Sequence, residues 1–168
     1  MTSEDTPATR VADAITTLGE DGVVERAIAL LAGFNVGEEF LLVAGGTHAQ
    51  GLLDGAPPLY WPEVWGARVL LYAWNDTATD AVLAGLQNRA WRVREMCTRV
   101  AAARHLPAAE YLRELLTDDT ARVRAAAARA LGELGSADDL ELLAKLFKDP
   151  EIDVRRAAQQ ARTAIEKR

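Results

Sequence analysis

A short motif that begins with valine recurs through most of this 168-residue chain, at intervals of about 30 residues. In each copy, mostly small or apolar residues follow the valine three, four and seven positions later. This spacing predicts one buried stripe on an amphipathic helix. The leading valines are Val64, Val93, Val123 and Val154.

A second helix is predicted after each of the first three valine helices, because apolar residues recur there in the same register. One column of such residues consists of Val82, Leu112 and Leu143. A self-similar unit of this length with two helices is typical of an α-solenoid, in which each unit packs on its neighbours. We therefore predict an all-α chain of about ten helices.

Two segments carry the motif most clearly. One begins at Asp118 and reads D-D-T-A-R-V-R-A-A-A-A, and the other begins at Asp149 and reads D-P-E-I-D-V-R-R-A-A. They resemble HEAT-like repeats, closest to the short variety of the phycobilin lyases, and the resemblance is clearest over residues 88–168. It implies a right-handed superhelix of stacked antiparallel helix pairs. It is less specific for function, because such arrays include scaffolds, binding proteins and a few enzymes.

The N-terminal third has a different composition, since nine of the 12 glycines lie in residues 1–66. We predict irregular helices over residues 1–60, within the same domain as the HEAT-like repeats of residues 61–168. The last helix lacks a following partner helix and is rich in polar residues, which predicts a capping C-terminal helix.

Local signals divide the N-terminal third into short helices. Thr6 with the following proline predicts a helix start, and Gly19 predicts its end. Asp21 is expected to cap the next helix. Asn35, with a glutamate three residues later, resembles a capping box. Two short helices are expected around residues 36–44 and 47–53, with one long irregular helix as the alternative.

Charge is unevenly distributed along the chain. Residues 1–84 contain 3 Lys+Arg and 12 Asp+Glu, whereas residues 85–168 contain 16 and 13. A pI near 5.0 argues against a general nucleic-acid binder. The single cysteine excludes an intrachain disulfide. Because no signal sequence or membrane-spanning stretch is found, we expect a cytoplasmic protein without membrane insertion.

Three arginines follow the repeated valines directly, and two aspartates precede the valines of the last two repeats. We interpret them as a structural ladder, because a guanidinium can bond a carboxylate and backbone carbonyls at once. The alternative is a basic ladder for phosphate or an acidic partner. The set consists of Arg94, Arg124, Arg155, Asp118 and Asp149.

A second group of arginines is the best candidate for binding anions or nucleic acid, because spacing of seven residues places its members on one helical face. An acidic row on the second helices, formed by Asp80, Glu110 and Glu141, would repel phosphate. The group consists of Arg92, Arg99, Arg122 and Arg129.

Aromatic residues and one arginine form a helical stripe where the chain changes from irregular to repetitive. Trp, Tyr and Arg are enriched in protein-binding hot spots. The alternative is that the rings seal the junction between the two parts. The predicted partner-binding set is Trp61, Trp65, Arg68, Tyr72 and Tyr111.

The sequence contains no recognisable catalytic, metal or cofactor motif. The stretch from Gly45 to His48 lacks the spacing and the lysine of a phosphate loop. His48 and His105 are far apart and lack paired cysteines, which leaves a zinc site unsupported. Cys97 occupies a core position of its repeat.

The predicted function is a non-enzymatic protein–protein interaction module, either a small adaptor or an assembly subunit. It would bind protein partners, with a homo-oligomer left open and nucleic acid not expected. One alternative is a lyase-like protein that handles a cofactor or chromophore, with catalytic residues around His48, Asp54 or Glu63. The other alternative is nucleic-acid binding through the C-terminal arginines.

Overall fold

The computed structural model describes residues 5–168, so residues 1–4 of the predicted N-terminal segment lie outside the described part. Within that part the chain forms ten α-helices and no β-strand, which confirms the predicted all-α, α-solenoid class. The helices are α1 (Pro7–Leu31), α2 (Glu38–Gly45), α3 (Thr47–Leu53), α4 (Trp61–Val69), α5 (Thr79–Gly85), α6 (Trp91–Ala103), α7 (Ala109–Leu115), α8 (Ala121–Leu134), α9 (Leu140–Lys145) and α10 (Ile152–Glu166). Three short 3₁₀ turns cover Asp76–Ala78, Ala137–Asp139 and Leu146–Lys148.

The chain divides into two compact units, the first ending at Val82 and the second beginning at Leu83, inside α5. The predicted helix at residue 61 is α4, and it belongs to the first unit. The repeats that follow α5 make up the second unit.

In the first unit, α1 begins with a capping box and is kinked near its middle. The Thr6 hydroxyl accepts from the Thr9 amide at 3.2 Å, and the Thr9 hydroxyl accepts from the Thr6 amide at 3.0 Å. Gly19 has φ +72°, a backbone conformation that favours glycine, so the predicted break lies at this residue. The helix resumes at once, and the cap predicted at Asp21 is wrong. Asp21 lies inside α1, and its carboxylate accepts from the side-chain Nδ2 of Asn75 at 2.7 Å.

Two short helices follow, α2 and α3, as predicted, so the alternative of one long helix is wrong. The predicted capping role of Asn35 is also wrong, because α2 begins at Glu38 after Gly37 with φ +86°. Asn35 instead accepts from the Gly37 amide at 2.9 Å, which stabilises the turn before the helix.

Helix α4 packs closely on α1, and a glycine allows the approach. A Cβ atom on Gly66 would lie 2.6 Å from the amide nitrogen of Leu31 and 2.8 Å from the carbonyl oxygen of Ala27. Only a residue without a side chain fits there, since both neighbours are backbone atoms of α1.

In the second unit, the three longer helices α6, α8 and α10 carry the repeated motif. Their valines, Val93, Val123 and Val154, are fully buried. Helix α8 packs against both α6 and α10, and small residues on its faces keep the helices close. At Gly132, a Cβ atom would lie 2.9 Å from the Cα atom of Ala161.

The shorter helices α7 and α9 supply the second column of the core. Leu112 and Leu143 are fully buried, as the register predicted. Helix α10 buries a stripe of small residues and exposes a polar face, and its role as a cap stays a prediction. The exposed polar residues include Arg156, Gln159, Gln160 and Thr163.

Candidate functional site

The aromatic stripe of the first unit begins on α4, and its members differ in exposure. Trp61 is half-buried, whereas Tyr72 is 41% exposed. Trp65 is only 4% exposed, so its prediction as a partner-binding residue is wrong. Its ring packs on Gly45, where a Cβ atom would lie 2.6 Å from the indole. Trp65 therefore fits the alternative interpretation, in which an aromatic ring of α4 packs into the junction with the preceding N-terminal helices.

The rings of Trp61 and Trp65 stack on each other, with centroids 6.4 Å apart and planes inclined by 24°. Arg68 lies further along the same helix, and its Nη2 donates to the carbonyl oxygen of Ala44 at 2.7 Å. These contacts place the Trp61 ring on Trp65 and join the Arg68 side chain to α2.

Trp61, Trp65 and Arg68 line a pocket of about 340 Å³ together with residues of α3 and the loop after it. The partly exposed indole of Trp61, beside a guanidinium and an imidazole, suits an apolar or aromatic side chain of a protein partner. The remaining lining residues are His48, Leu52, Ala56 and Pro57. Tyr111, the last member of the predicted set, is half-buried on α7 of the second unit.

A larger groove of about 760 Å³ lies between the first half of α1 and α2, and we call it the α1–α2 groove. Sequence reasoning missed it, because it depends on the kink of α1 at Gly19 and on the bond from Arg10 to Val43 of α2. Exposed carboxylates of Asp13, Glu38 and Glu39 border its apolar residues. The apolar residues are Ala14, Leu18, Val36, Phe40, Leu42 and Val43.

In the second unit, the arginines after the repeated valines bond forward to the aspartate of the next repeat. Nε and Nη2 of Arg94 donate to the two carboxylate oxygens of Asp118 at 2.8 and 3.0 Å. Its Nη1 donates to the carbonyl oxygen of Asn88 at 2.8 Å. Arg124 has the same bonds to Asp149, at 2.8 and 3.0 Å, and Nη1 bonds the carbonyl oxygen of Asp118 at 2.7 Å.

The two aspartates also organise the turns in which they lie. Asp118 accepts from the amide of Thr120 at 2.8 Å, and Asp149 accepts from the amide of Glu151 at 2.9 Å. The hydrogen bond from Arg124 lowers the pKa of Asp149, against the opposing effect of burial. The carboxylate is therefore held in its charged form.

Arg155 repeats the backbone contacts of the other two arginines at the end of the series. Its Nη1 donates to the carbonyl oxygens of Asp149 at 2.7 Å and Pro150 at 2.9 Å. Within residues 5–168 it has no carboxylate partner, so the ladder contains two complete rungs in the described chain.

The arginines proposed as an anion site are partly neutralised by their surroundings. The guanidinium of Arg122 lies 5.4 Å from the ring centroid of Trp91 and forms an ion pair with Glu95 at 3.1 Å. Arg92 stacks on the same ring at 4.2 Å. Arg99 is exposed. A groove that includes Arg122 and Arg129 also includes three carboxylates, those of Glu95, Glu151 and Asp153.

Comparison with known families decides the classification of the chain. Residues 68–162, more than half of the sequence, match the family of HEAT repeats. The chain belongs to the HEAT-repeat family. None of the curated proteins matches it. HEAT repeats generally mediate protein–protein interactions and are typically non-enzymatic. The finer resemblance to the phycobilin-lyase type stays a prediction.

One ion pair in the HEAT repeats, between a fully buried aspartate and a partly exposed arginine, was missed at the sequence level. Asp139 is fully buried and accepts from Nε of Arg113 at 2.6 Å and from the amide of Ser136 at 2.9 Å. Burial by itself would raise the pKa of Asp139, but these hydrogen bonds lower it. The sequence signal is that Asp139 occupies the register position of two alanines, Ala78 and Ala108.

The HEAT-repeat core also encloses the single cysteine. Burial raises the pKa of the Cys97 thiol to about 12, so it stays protonated and unreactive at neutral pH. Among the residues that the structure describes, no cluster of three metal-ligating side chains is found. In the same part of the chain, no helix has both the length and the apolar character needed to cross a bilayer.

Proposed function

We propose that the chain is a non-enzymatic protein-interaction module that acts as a small adaptor or assembly subunit in the cytoplasm. Membership of the HEAT-repeat family supports the protein-binding part of this proposal. The observation that supports it most strongly is the pocket beside Trp61, where the partly exposed indole of Trp61 stacks on the buried indole of Trp65.

The stacking on Trp65 fixes the Trp61 ring before any partner arrives. A fixed aromatic side chain loses little conformational entropy on binding, which is why such residues dominate interface energetics. Arg68 adds a cationic group that is already positioned by its bond to Ala44. We assign Trp61 as the anchor of the site and Arg68 as its directional contact.

Tyr72, exposed in the first unit, and Tyr111, half-buried in the second unit, are kept as two separate proposed partner-binding residues. The ladder arginines are assigned a structural role instead. The guanidinium nitrogens of Arg94 and Arg124 already donate to carboxylate and carbonyl oxygens, so a partner would have to displace internal bonds.

The proposal is tested by comparing what two variants retain from an extract of the native host at low salt. Trp61→Ala removes the proposed anchor, whereas Ile152→Ala removes an exposed apolar side chain, 48% accessible, in the second unit. We expect that wild type and Ile152→Ala retain the same partner proteins in equal amounts. The Trp61→Ala variant should retain at least about 10-fold less of them. Quantitative mass spectrometry provides the measurement.

Equal retention by all three proteins would contradict the assignment of Trp61. Light scattering of the purified chain tests self-association at the same site, since a homo-oligomer built on Trp61 should dissociate in the Trp61→Ala variant.

A further inference from the structure

The α1–α2 groove combines an apolar interior with an acidic border. Leu18, at the kink of α1, is 39% exposed, and Phe34, in the segment that joins the two helices, is 68% exposed. An exposed apolar side chain that lines a groove, as Leu18 does, is typical of a surface that is covered in a complex. The border carries the carboxylates of Asp13, Glu38 and Glu39, all exposed.

The charge of the surrounding unit is strongly negative. The chain up to Val82 contains only three cationic residues, Arg10, Arg26 and Arg68, and no lysine. Residues 1–84 carry 12 carboxylates. An excess of this kind attracts a cationic partner and speeds its association.

Two of those arginines line the groove, but internal contacts occupy both. Arg10 pairs with Asp5 at 2.6 Å, and its Nε donates to the carbonyl oxygen of Val43 at 3.0 Å. Nη1 of Arg26 donates to the carbonyl oxygen of Gly22 at 2.9 Å. Because Arg10 joins α1 to α2, we interpret it as a structural residue that keeps the two helices of the groove together.

We propose that the α1–α2 groove binds a basic amphipathic helix of a partner protein, with its apolar face on the groove and its lysines or arginines against Asp13, Glu38 and Glu39. An apolar groove with carboxylates along its border matches helix-in-groove binding, in which the apolar face of an amphipathic helix lies in the groove. The inference rests on the proposed function, because it specifies the partner of a protein-binding module.

The test uses a synthetic leucine–lysine peptide of about 18 residues, roughly five helical turns, with leucines at helical spacing. A second peptide has the same composition in scrambled order, and a third replaces lysine by glutamate. Fluorescence anisotropy measures binding of each labelled peptide to the full chain. We expect the amphipathic basic peptide to bind at least about 10-fold more tightly than either of the others.

Matched variants locate the binding. Glu38→Lys and Glu25→Lys change the net charge equally, but only Glu38 borders the groove. We expect Glu38→Lys to weaken binding at least about fivefold more than Glu25→Lys does. Leu18→Asp should weaken it by about 10-fold or more. All three residues are exposed, and circular dichroism verifies that the variants remain helical.

Equal affinity for the ordered and scrambled peptides, or equal loss in Glu38→Lys and Glu25→Lys, would overturn the proposal in favour of nonspecific attraction to an acidic surface. Trp61→Ala should leave peptide affinity unchanged. The peptide measurements therefore test binding at the α1–α2 groove, and the extract experiment tests binding at the Trp61 pocket, so each proposal can fail independently of the other.

Discussion

Arg124 and Asp149 are 25 positions apart in sequence and are joined by two parallel hydrogen bonds, of 2.8 and 3.0 Å. Their side chains retain only 14% and 6% of their accessible surface. A bidentate pair with so little exposure is stronger than a surface ion pair. Its main consequence is that removal of one side chain leaves the other charge buried without a partner, which lowers the free energy of unfolding.

Arg124→Ala should therefore lower the free energy of unfolding by about 3 kcal/mol, because Asp149 would stay buried without its partner. Urea denaturation measures the loss. Arg129→Ala is the matched control, since Arg129 is an exposed arginine of the same helix and should change stability by less than about 0.5 kcal/mol. Similar losses in the two variants would contradict a structural role for Arg124.

The lowered pKa of Asp149 predicts a dependence of stability on pH. Its folded-state pKa lies below the unfolded value of about 3.9. Its stabilising contribution is thus complete above about pH 4 and is lost as the pH falls through the folded-state pKa.

Asp149→Asn should reduce the free energy of unfolding at neutral pH. On acidification, this variant should lose less of that free energy than wild type does. The asparagine can keep the turn bond to Glu151, as Asn88 does with Ala90 at 2.8 Å. Urea denaturation at a series of pH values provides the curves. Asp153→Asn, at an exposed position of α10, should follow wild type, and a parallel curve for Asp149→Asn would refute the assignment.

Gly66→Ala should destabilise the first unit by about 1–3 kcal/mol, because the added methyl group would clash with the backbone of α1 where α4 lies closest to it. Gly51→Ala, inside α3 with open space around it, should instead stabilise the chain by about 0.5 kcal/mol through helix propensity. Opposite shifts of the melting temperature are expected. Equal shifts would mean that α4 and α1 are not in this close contact.

Trp65→Ala should lower the free energy of unfolding by about 3–5 kcal/mol, the loss typical of a buried tryptophan. Trp61→Ala should lower it by only about 1 kcal/mol, because the ring is half-exposed. Chemical denaturation followed by circular dichroism distinguishes the two. If the losses were equal, Trp61 would be a core residue and the proposed anchor would fail.

Much of the second unit could be predicted because its repeats determine one another. The register that aligns Val93, Val123 and Val154 also places the arginine after each valine, and the aspartate before the last two valines. Local periodicity therefore carried information about contacts 24 and 25 residues apart.

The first unit was less predictable because its key contacts are unique. Nothing in the pattern around Trp65 indicates that Gly45 lies against its ring, so exposure and burial were equally compatible with the stripe. The α1–α2 groove likewise depends on the kink at Gly19 and on the bond from Arg10 to Val43. Asp139 lay in a column of alanines, but a single exception to a register does not identify its partner.

Asp118 has a position in the ladder that links the dynamics of successive repeats. Its carboxylate is held by the arginine of the preceding repeat, Arg94, and its carbonyl oxygen by the arginine of its own repeat, Arg124. A repeat that opened locally would break bonds on both sides, so single-repeat fraying is penalised and neighbouring repeats open together. Amide protons around Asn88, Asp118 and Asp149 should then exchange with solvent as one cooperative unit, and a partner bound to one repeat would slow exchange in the others.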